Sequence, residues 1–266
     1  MTDHHELLAF AHRLADASGN VIRPLFRTPI EAIDKSKPDG YYEPVTQADQ
    51  AAEEAMRELI AATYPEHGIL GEEQGRQRLD AEYYWCLDPI DGTKSFVVGY
   101  PTFGTLIGLN HRGTVEIGIM NQPITNERFV GSPNGAFFGK QRLRTRPCAS
   151  LDSAILGFSG PWIFTTEAEK EVIKVISDRC MLTMNTGDCY NYCMLAMGRM
   201  DLIVESKIYP YDIQALIPIV EQAGGVITTW AGGDPSMGDL VVAAGDPRLH
   251  EQVLPLLQGA AARNNR

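Results

Sequence analysis

The chain has 266 residues, 44% of them hydrophobic, enough for a sizeable core in one compact unit or two packed halves. A formal net charge of −11 repels nucleic acid and anionic membranes, which excludes a basic-patch binder, and a phosphate substrate would need bound cations to reverse the local sign. No apolar run reaches the roughly 18 residues of a membrane span, and five cysteines without framework spacing read as reduced thiols of a cytoplasmic protein.

The first residues, Met1 to Glu6, are polar and acidic, unlike a secretory signal. Hydrophobic periodicity then predicts a helix from about His4 to Phe26. Next comes Asp34-Lys35-Ser36-Lys37-Pro38-Asp39-Gly40, whose composition suits either a loop that closes over a site or an ordinary solvated connection. A second helix carries Ala52, Ala55, Met56, Leu59 and Ile60 inward, with Asp49 in its first turn. Strands are expected near 68–72, 83–88, 103–110, 114–121, 126–131 and 136–139, with an antiparallel hairpin turning at Asn110-His111-Arg112-Gly113. After Ser150 the elements alternate: a strand near Ala154–Phe158, a helix about Thr166–Ser177, a strand near 181–185, a helix from 188 and a strand at Asp201–Glu205. A helix with Ala215, Leu216, Ile219, Val220 and Ala223 on one face is stopped by Gly224-Gly225. Strands near 226–229 and 240–244 and a helix from Pro247 complete the chain. Residues 1–149 thus read as an α+β half with an antiparallel sheet, and 150–266 as an α/β half.

The most informative stretch is Trp85-Cys86-Leu87-Asp88-Pro89-Ile90-Asp91-Gly92-Thr93. An apolar approach predicts a buried strand, expected to end at Pro89, which lacks the next ladder donor. Two carboxylates leave the strand three residues apart, and a helix opening at Gly92-Thr93 would offer free N–H groups. Carboxylates hold hard divalent cations and a helix N-terminus attracts phosphate oxygens, so together they describe a site for a metal-bound phosphate ester. The same residues also make a plain turn with a cap.

Other acids share that character. Gly68-Ile69-Leu70-Gly71 is a short strand ending in Glu72 and Glu73. Asp212 opens a helix on its apolar face, as an inward acid or as a cap. Glu72, Asp88, Asp91 and Asp212 are enough to bind at least two Mg²⁺ beside a phosphate. Asp49 serves either as a dipole partner of its helix or as an acid that orients Thr93.

The set Val45-Thr46-x-x-Asp49, Gly71-Glu72-Glu73, Asp88-Pro89-Ile90-Asp91-Gly92-Thr93 and Tyr211-Asp212-x-x-Ala215 with Ala223-Gly224-Gly225 resembles the inositol monophosphatase superfamily in order and spacing. The resemblance implies a layered αβαβα sandwich of the inositol monophosphatase/fructose-1,6-bisphosphatase type, with the site between the halves. It implies Mg²⁺-dependent hydrolysis of a small phosphate monoester, with about two or three ions per site. Metal ligands would be Glu72, Asp88, Asp91, Asp212 and the Ile90 carbonyl. Thr93 would help activate water, supported by Glu72 and Asp49, while Gly92 and Thr93 hold phosphate oxygens and Asp91 and Asp212 also face substrate. Tyr211 stands where many members have Trp, an aromatic exchange that leaves the chemistry intact. A homodimer is implied by the same resemblance.

Several segments resemble the histidinol-phosphate phosphatase branch, among them Gly187-Asp188-Cys189-Tyr190 and Tyr209-Pro210-Tyr211-Asp212-Ile213-Gln214. Asp188 falls where inositol phosphatases carry a small uncharged residue, and Glu205 matches a substrate-contacting acid of the family. Such acids suit an ammonium or imidazolium, each charge-assisted contact contributing about 1.5–3 kcal/mol, roughly tenfold to a hundredfold in discrimination. Asp188 could also cap the following helix. Asn185-Thr186 departs from the Arg usual just before this segment, which bears on the substrate rather than on the chemistry. L-Histidinol phosphate is the favoured substrate. The alternatives are an inositol phosphate, 3′-phosphoadenosine 5′-phosphate or fructose bisphosphate, an interaction protein on the same fold, or a non-catalytic metal- or anion-binding protein.

Overall fold

The computed structural model describes residues 4–35 and 42–264. Most of the 34–40 stretch, Lys37 included, lies outside the described residues. The chain opens with α1 (His4–Ile22), an antiparallel pair β1 (Ala32–Asp34) and β2 (Pro44–Thr46), and α2 (Gln47–Thr63). Then come β3 (Gly68–Gly71), β4 (Gly75–Gln77), β5 (Tyr83–Asp91), the short helix α3 (Thr93–Val98), β6 (Gly104–His111), β7 (Thr114–Gln122), β8 (Glu127–Ser132), β9 (Gly135–Phe138) and β10 (Gln141–Arg142). The remainder supplies β11 (Ile155–Gly157), α4 (Glu167–Arg179), β12 (Leu182–Met184), α5 (Asp188–Ala196) and β13 (Leu202–Ile208). It ends with α6 (Pro210–Ile213), α7 (Leu216–Gln222), β14 (Val226–Thr229), β15 (Asp239–Ala244) and α8 (Pro247–Asn264).

Besides the β1–β2 pair, the described strands form an eight-stranded sheet in the order β10-β9-β8-β7-β6-β5-β3-β4 and a five-stranded one in the order β12-β11-β13-β15-β14. Strand alternation sorts their side chains into layers. Ile107 and Leu109 of β6 pack with Leu7, Leu14, Met56 and Ile60 of α1 and α2, whereas Leu106 turns to the opposite face and meets α5 and α7. In β15, Val241 and Ala243 face that same central layer, and Val242 and Ala244 face α4 and α8. The order is helices, sheet, helices, sheet, helices, the layered αβαβα sandwich expected. The β6–β7 hairpin turns at Arg112 and Gly113, both at positive φ (50° and 89°), the conformation a two-residue hairpin loop needs. Among the described residues no helix is long and apolar enough to cross a membrane.

Three expectations need correction. The first helix stops at Ile22 and tightens into a 3-10 turn over Arg23–Leu25, where Pro24 removes a helical donor. The helix carrying Asp212 is interrupted after Ile213, giving α6 and α7. Most consequentially, β5 does not end at Pro89 but runs to Asp91. Its pairing with β6 passes from Asp88↔Leu106 to Asp91↔Gly104, so three steps on β5 match two on β6. The extra residue is a bulge, a place in a sheet where a proline fits.

Candidate active site

That bulge is what makes the motif chemical. In a regular strand, residues three apart point to opposite faces. One added residue restores the phase, so Asp88 and Asp91 present carboxylates on the same side. Asp212 reaches them from α6, where it sits at the third helical position and accepts the Tyr209 N–H at 2.7 Å. This helix can lie so close because β7 and β8 carry glycines beneath its continuation: a Cβ on Gly118 would come within 1.9 Å of the Ala215 carbonyl oxygen, and one on Gly131 within 2.3 Å of the Ile219 nitrogen.

Asp88, Asp91 and Asp212 bring carboxylate oxygens within 4.8 Å of one another, a hard-oxygen donor set that fits a divalent cation. Burial pushes the Asp88 carboxyl well above its ordinary range, and the charges of Glu72, Asp91 and Asp212 push it further. Asp212 is raised the same way, by burial first and then by Asp91 and Glu72. Burial also raises Asp91, although the Cys189 N–H donates to its Oδ2 at 2.7 Å. Like charges held this close call for a cation between them.

Glu72 follows β3 and stands at the edge of the trio. Its oxygen lies 3.3 Å from the Lys35 ammonium, which is 2.7 Å from Glu73. Burial lowers the Lys35 pKa, but the two carboxylates outweigh it and the net shift is upward. The turn after Glu72 is pinned from behind by Glu53 of α2, fully buried, which accepts the N–H groups of Glu73 and Gln74 at 2.8 and 3.0 Å and pairs with Arg57 at 2.8 Å. Only glycine fits at position 71, because a Cβ there would meet Glu53 Oε1 at 2.1 Å. Glu53→Ala is expected to cost about 2 kcal/mol, since it removes the carboxylate partner of Arg57 and the acceptor of two part-buried N–H groups. Urea unfolding checks this, and a loss under about 0.5 kcal/mol would show the pin to be dispensable.

Thr93 opens α3 and donates its hydroxyl to the Ile90 carbonyl at 3.0 Å or to Asp49 Oδ1 at 3.3 Å. Asp49 completes a capping box with Thr46, accepting its N–H and hydroxyl at 2.9 and 2.6 Å. Asp49 thus belongs to the capping box of α2 and also lies 3.3 Å from the Thr93 hydroxyl.

A cleft of about 340 Å³ joins these groups to the acids expected at the substrate rim. It is lined by Glu72, Asp88, Ile90, Asp91, Gly92 and Thr93 from the first half, and by Asp188, Glu205 and Asp212 from the second. Asp49 lies behind Thr93 rather than in the wall. Asp188 is not the cap of α5: Gly187 holds that position, and Asp188 is the first helical residue, at φ 45°. Its carboxylate accepts the Ser95 hydroxyl at 2.8 Å and leaves no room for a side chain at Gly92, where a Cβ would sit 2.7 Å from Asp188 Oδ2. Burial, then the charge of Asp91, pushes Asp188 up to about 7. Glu205 is fully buried, and Oε1 accepts the N–H and hydroxyl of Ser159 at 2.8 and 2.9 Å. Its Oε2 has no hydrogen-bond partner among the described residues, and burial raises its pKa well above the usual range.

Sequence reasoning placed Lys35 only in a loop that either closes over a site or is solvated, and it missed Lys94 and Ser95 beside the motif and the turn Ser159–Trp162. Lys94 and Ser95 had a signal, because they directly continue the Asp88–Thr93 run. The Ser159 turn had none; only the folded chain brings it to Glu205.

Several known proteins are similar to this chain over nearly its whole length. A chloroplastic bifunctional phosphatase, IMPL2, of Arabidopsis thaliana is 43% identical over 97% of this chain and 76% of its own. A histidinol-phosphatase of Mycobacterium tuberculosis is 34% identical over 95% and 98% of the two chains, and the Nus factor SuhB of Escherichia coli 31% over 94% and 95%. An inositol monophosphatase from Zymomonas mobilis superposes with a TM-score of 0.86 at 41% identity, covering 97% of this chain and all (100%) of that one. The sequence model of the inositol monophosphatase family matches residues 3–262. With the three-carboxylate cluster at the mouth of two stacked sheets, the chain is a phosphatase of the inositol monophosphatase family.

Proposed function

We propose that the protein hydrolyses L-histidinol phosphate with Mg²⁺ held by Asp88, Asp91, Asp212, Glu72 and the Ile90 carbonyl. The observation that carries the substrate is a pair of acids, half-buried Asp188 and fully buried Glu205, in the same cleft as the metal-type cluster. Ionised, each can accept a sugar hydroxyl, but an ammonium or imidazolium also brings a compensating charge, which makes the hydrogen bond roughly twice as strong. Relatives named histidinol-phosphatase add support. A second reading, inositol 1-phosphate, is favoured by the similarity to the Zymomonas mobilis inositol monophosphatase.

When bound, Mg²⁺ lowers the pKa of a coordinated water and neutralises charge on the phosphate. Thr93 would orient the attacking water by accepting its hydrogen bond, and as the water's proton passes to the Thr93 oxygen, the Thr93 proton would pass to ionised Asp49. The N–H groups of Gly92 and Thr93 would hold phosphate oxygens at the start of α3. Asp188 and Glu205 would orient the leaving alcohol.

The deciding experiment is phosphate release from L-histidinol phosphate, myo-inositol 1-phosphate, 3′-phosphoadenosine 5′-phosphate and fructose 1,6-bisphosphate, each with Mg²⁺ and with EDTA. Preference for histidinol phosphate, lost in EDTA, is expected. Asp188→Ala should then raise KM for that ester about tenfold while leaving the others little changed; equal losses on all four refute the recognition role.

The Asp49 role has its own signature. Burial pushes this carboxyl up to about 6, so it is protonated below that pH and ionises above it. Only the ionised form accepts from Thr46 and Thr93 at once, so kcat/KM should climb as pH rises through about 6. The same upward shift makes Asp49 a cost to folding that grows over that range. In Asp49→Asn this acid limb should flatten; a limb that survives the substitution rules Asp49 out.

A further inference from the structure

Trp162 lies in the 3-10 turn Pro161–Ile163 between β11 and α4, and its ring lines the cleft. It is 43% exposed, while Trp85 and Trp230 are fully buried. An indole left open in a polar cleft forgoes much of the burial that normally recruits it to a core. Its placement is nonetheless fixed. A Cβ on Gly160 would meet the ring carbons at 2.2–2.4 Å, so the indole lies on the bare Cα of Gly160, whose backbone is otherwise extended (φ 168°). Space, not backbone conformation, demands the glycine, and Pro161 stiffens the turn.

One residue before Gly160, Ser159 gives both its donors to Glu205 Oε1, leaving the buried Oε2 without a hydrogen-bond partner among the described residues. A single turn therefore presents an aromatic face and clamps an acid that still lacks a donor. We propose that Trp162 is a specificity-determining residue, the stacking wall for a planar leaving group that carries an N–H, and this rests on the phosphatase reading above. A flat cationic ring gains from both features, by stacking on the indole and by donating to the acid; a puckered sugar or a short alkyl chain gains from neither in full.

The test compares kcat/KM for L-histidinol phosphate with that for glycerol 2-phosphate, in wild type, Trp162→Leu and Trp162→Phe. The ratio should fall about five- to tenfold in Trp162→Leu, through KM rather than kcat, and Phe should restore most of it. Because Trp85 and Trp230 are sealed, L-histidinol should also alter intrinsic tryptophan emission in the wild type and much less in Trp162→Leu. An unchanged ratio in Trp162→Leu overturns the proposal, as does an equal loss on both esters. Should the wild type not hydrolyse histidinol phosphate, the substrate reading fails alone. The same ratio measured with pyridoxal 5′-phosphate, another flat ester, against glycerol 2-phosphate then decides Trp162.

Discussion

Asp91→Asn is expected to lower kcat about a thousandfold or more at saturating Mg²⁺, with the fold retained. Asn has the shape of Asp, and its amide oxygen can still accept the Cys189 N–H that now reaches Asp91 at 2.7 Å. What disappears is one negative charge from a trio confined within 4.8 Å. Two carboxylates cannot hold a divalent cation against a phosphate dianion as three can, and the amide turns a donor group toward the cation. Thr93 and Asp49 keep their geometry, so the loss isolates the cluster from the pair proposed to orient the water. Steady-state phosphate release together with circular dichroism checks both halves of the expectation. Activity within tenfold of wild type would remove Asp91 from the metal site.

How far the sequence alone reaches is seen at the same residues. The acids at strand and helix ends were legible because each sits beside a local punctuation mark: Gly71 before Glu72, Gly92 after Asp91, Pro210 before Asp212. Local chemistry fixes those positions, so local reading finds them. The β5 bulge was not legible, since Pro89 argues for a strand end unless β6 is known to supply one residue fewer. For Lys35 the choice between a loop over the site and a solvated connection was not legible, because its partners Glu72 and Glu73 lie 37 and 38 residues away. The halves of the cleft meet only through packing, where Gly118 and Gly131 admit α7, the continuation of the short helix that carries Asp212. A glycine in a strand signals a close approach without saying what approaches.

Asp88→Asn is expected to raise the melting temperature of the metal-free protein while removing most of its response to Mg²⁺. Asp88 is 1% exposed, and burial together with Glu72, Asp91 and Asp212 holds its pKa above the unfolded value. A carboxyl raised in the folded state binds protons that the unfolded chain has released, so its contribution to stability falls as pH rises above the ordinary carboxylate range. At neutral pH the metal-free site is therefore under electrostatic load, and Asn relieves it while its oxygen can keep the Ile90 N–H, now 3.0 Å from Asp88 Oδ1. Wild type gains what the variant cannot: a ligand that binds only the folded state adds about 2.7 kcal/mol at a hundredfold excess over Kd. At about 2–4 °C per kcal/mol for a chain of this size, that is roughly 5–10 °C. Differential scanning fluorimetry with EDTA and with Mg²⁺ reads both effects. If Asp88→Asn melts lower than wild type in EDTA, the cluster is not under repulsion. If Mg²⁺ shifts the variant as far as the wild type, Asp88 is not a ligand. Opposite signs in the two conditions are what a site built to be unstable without its ion requires.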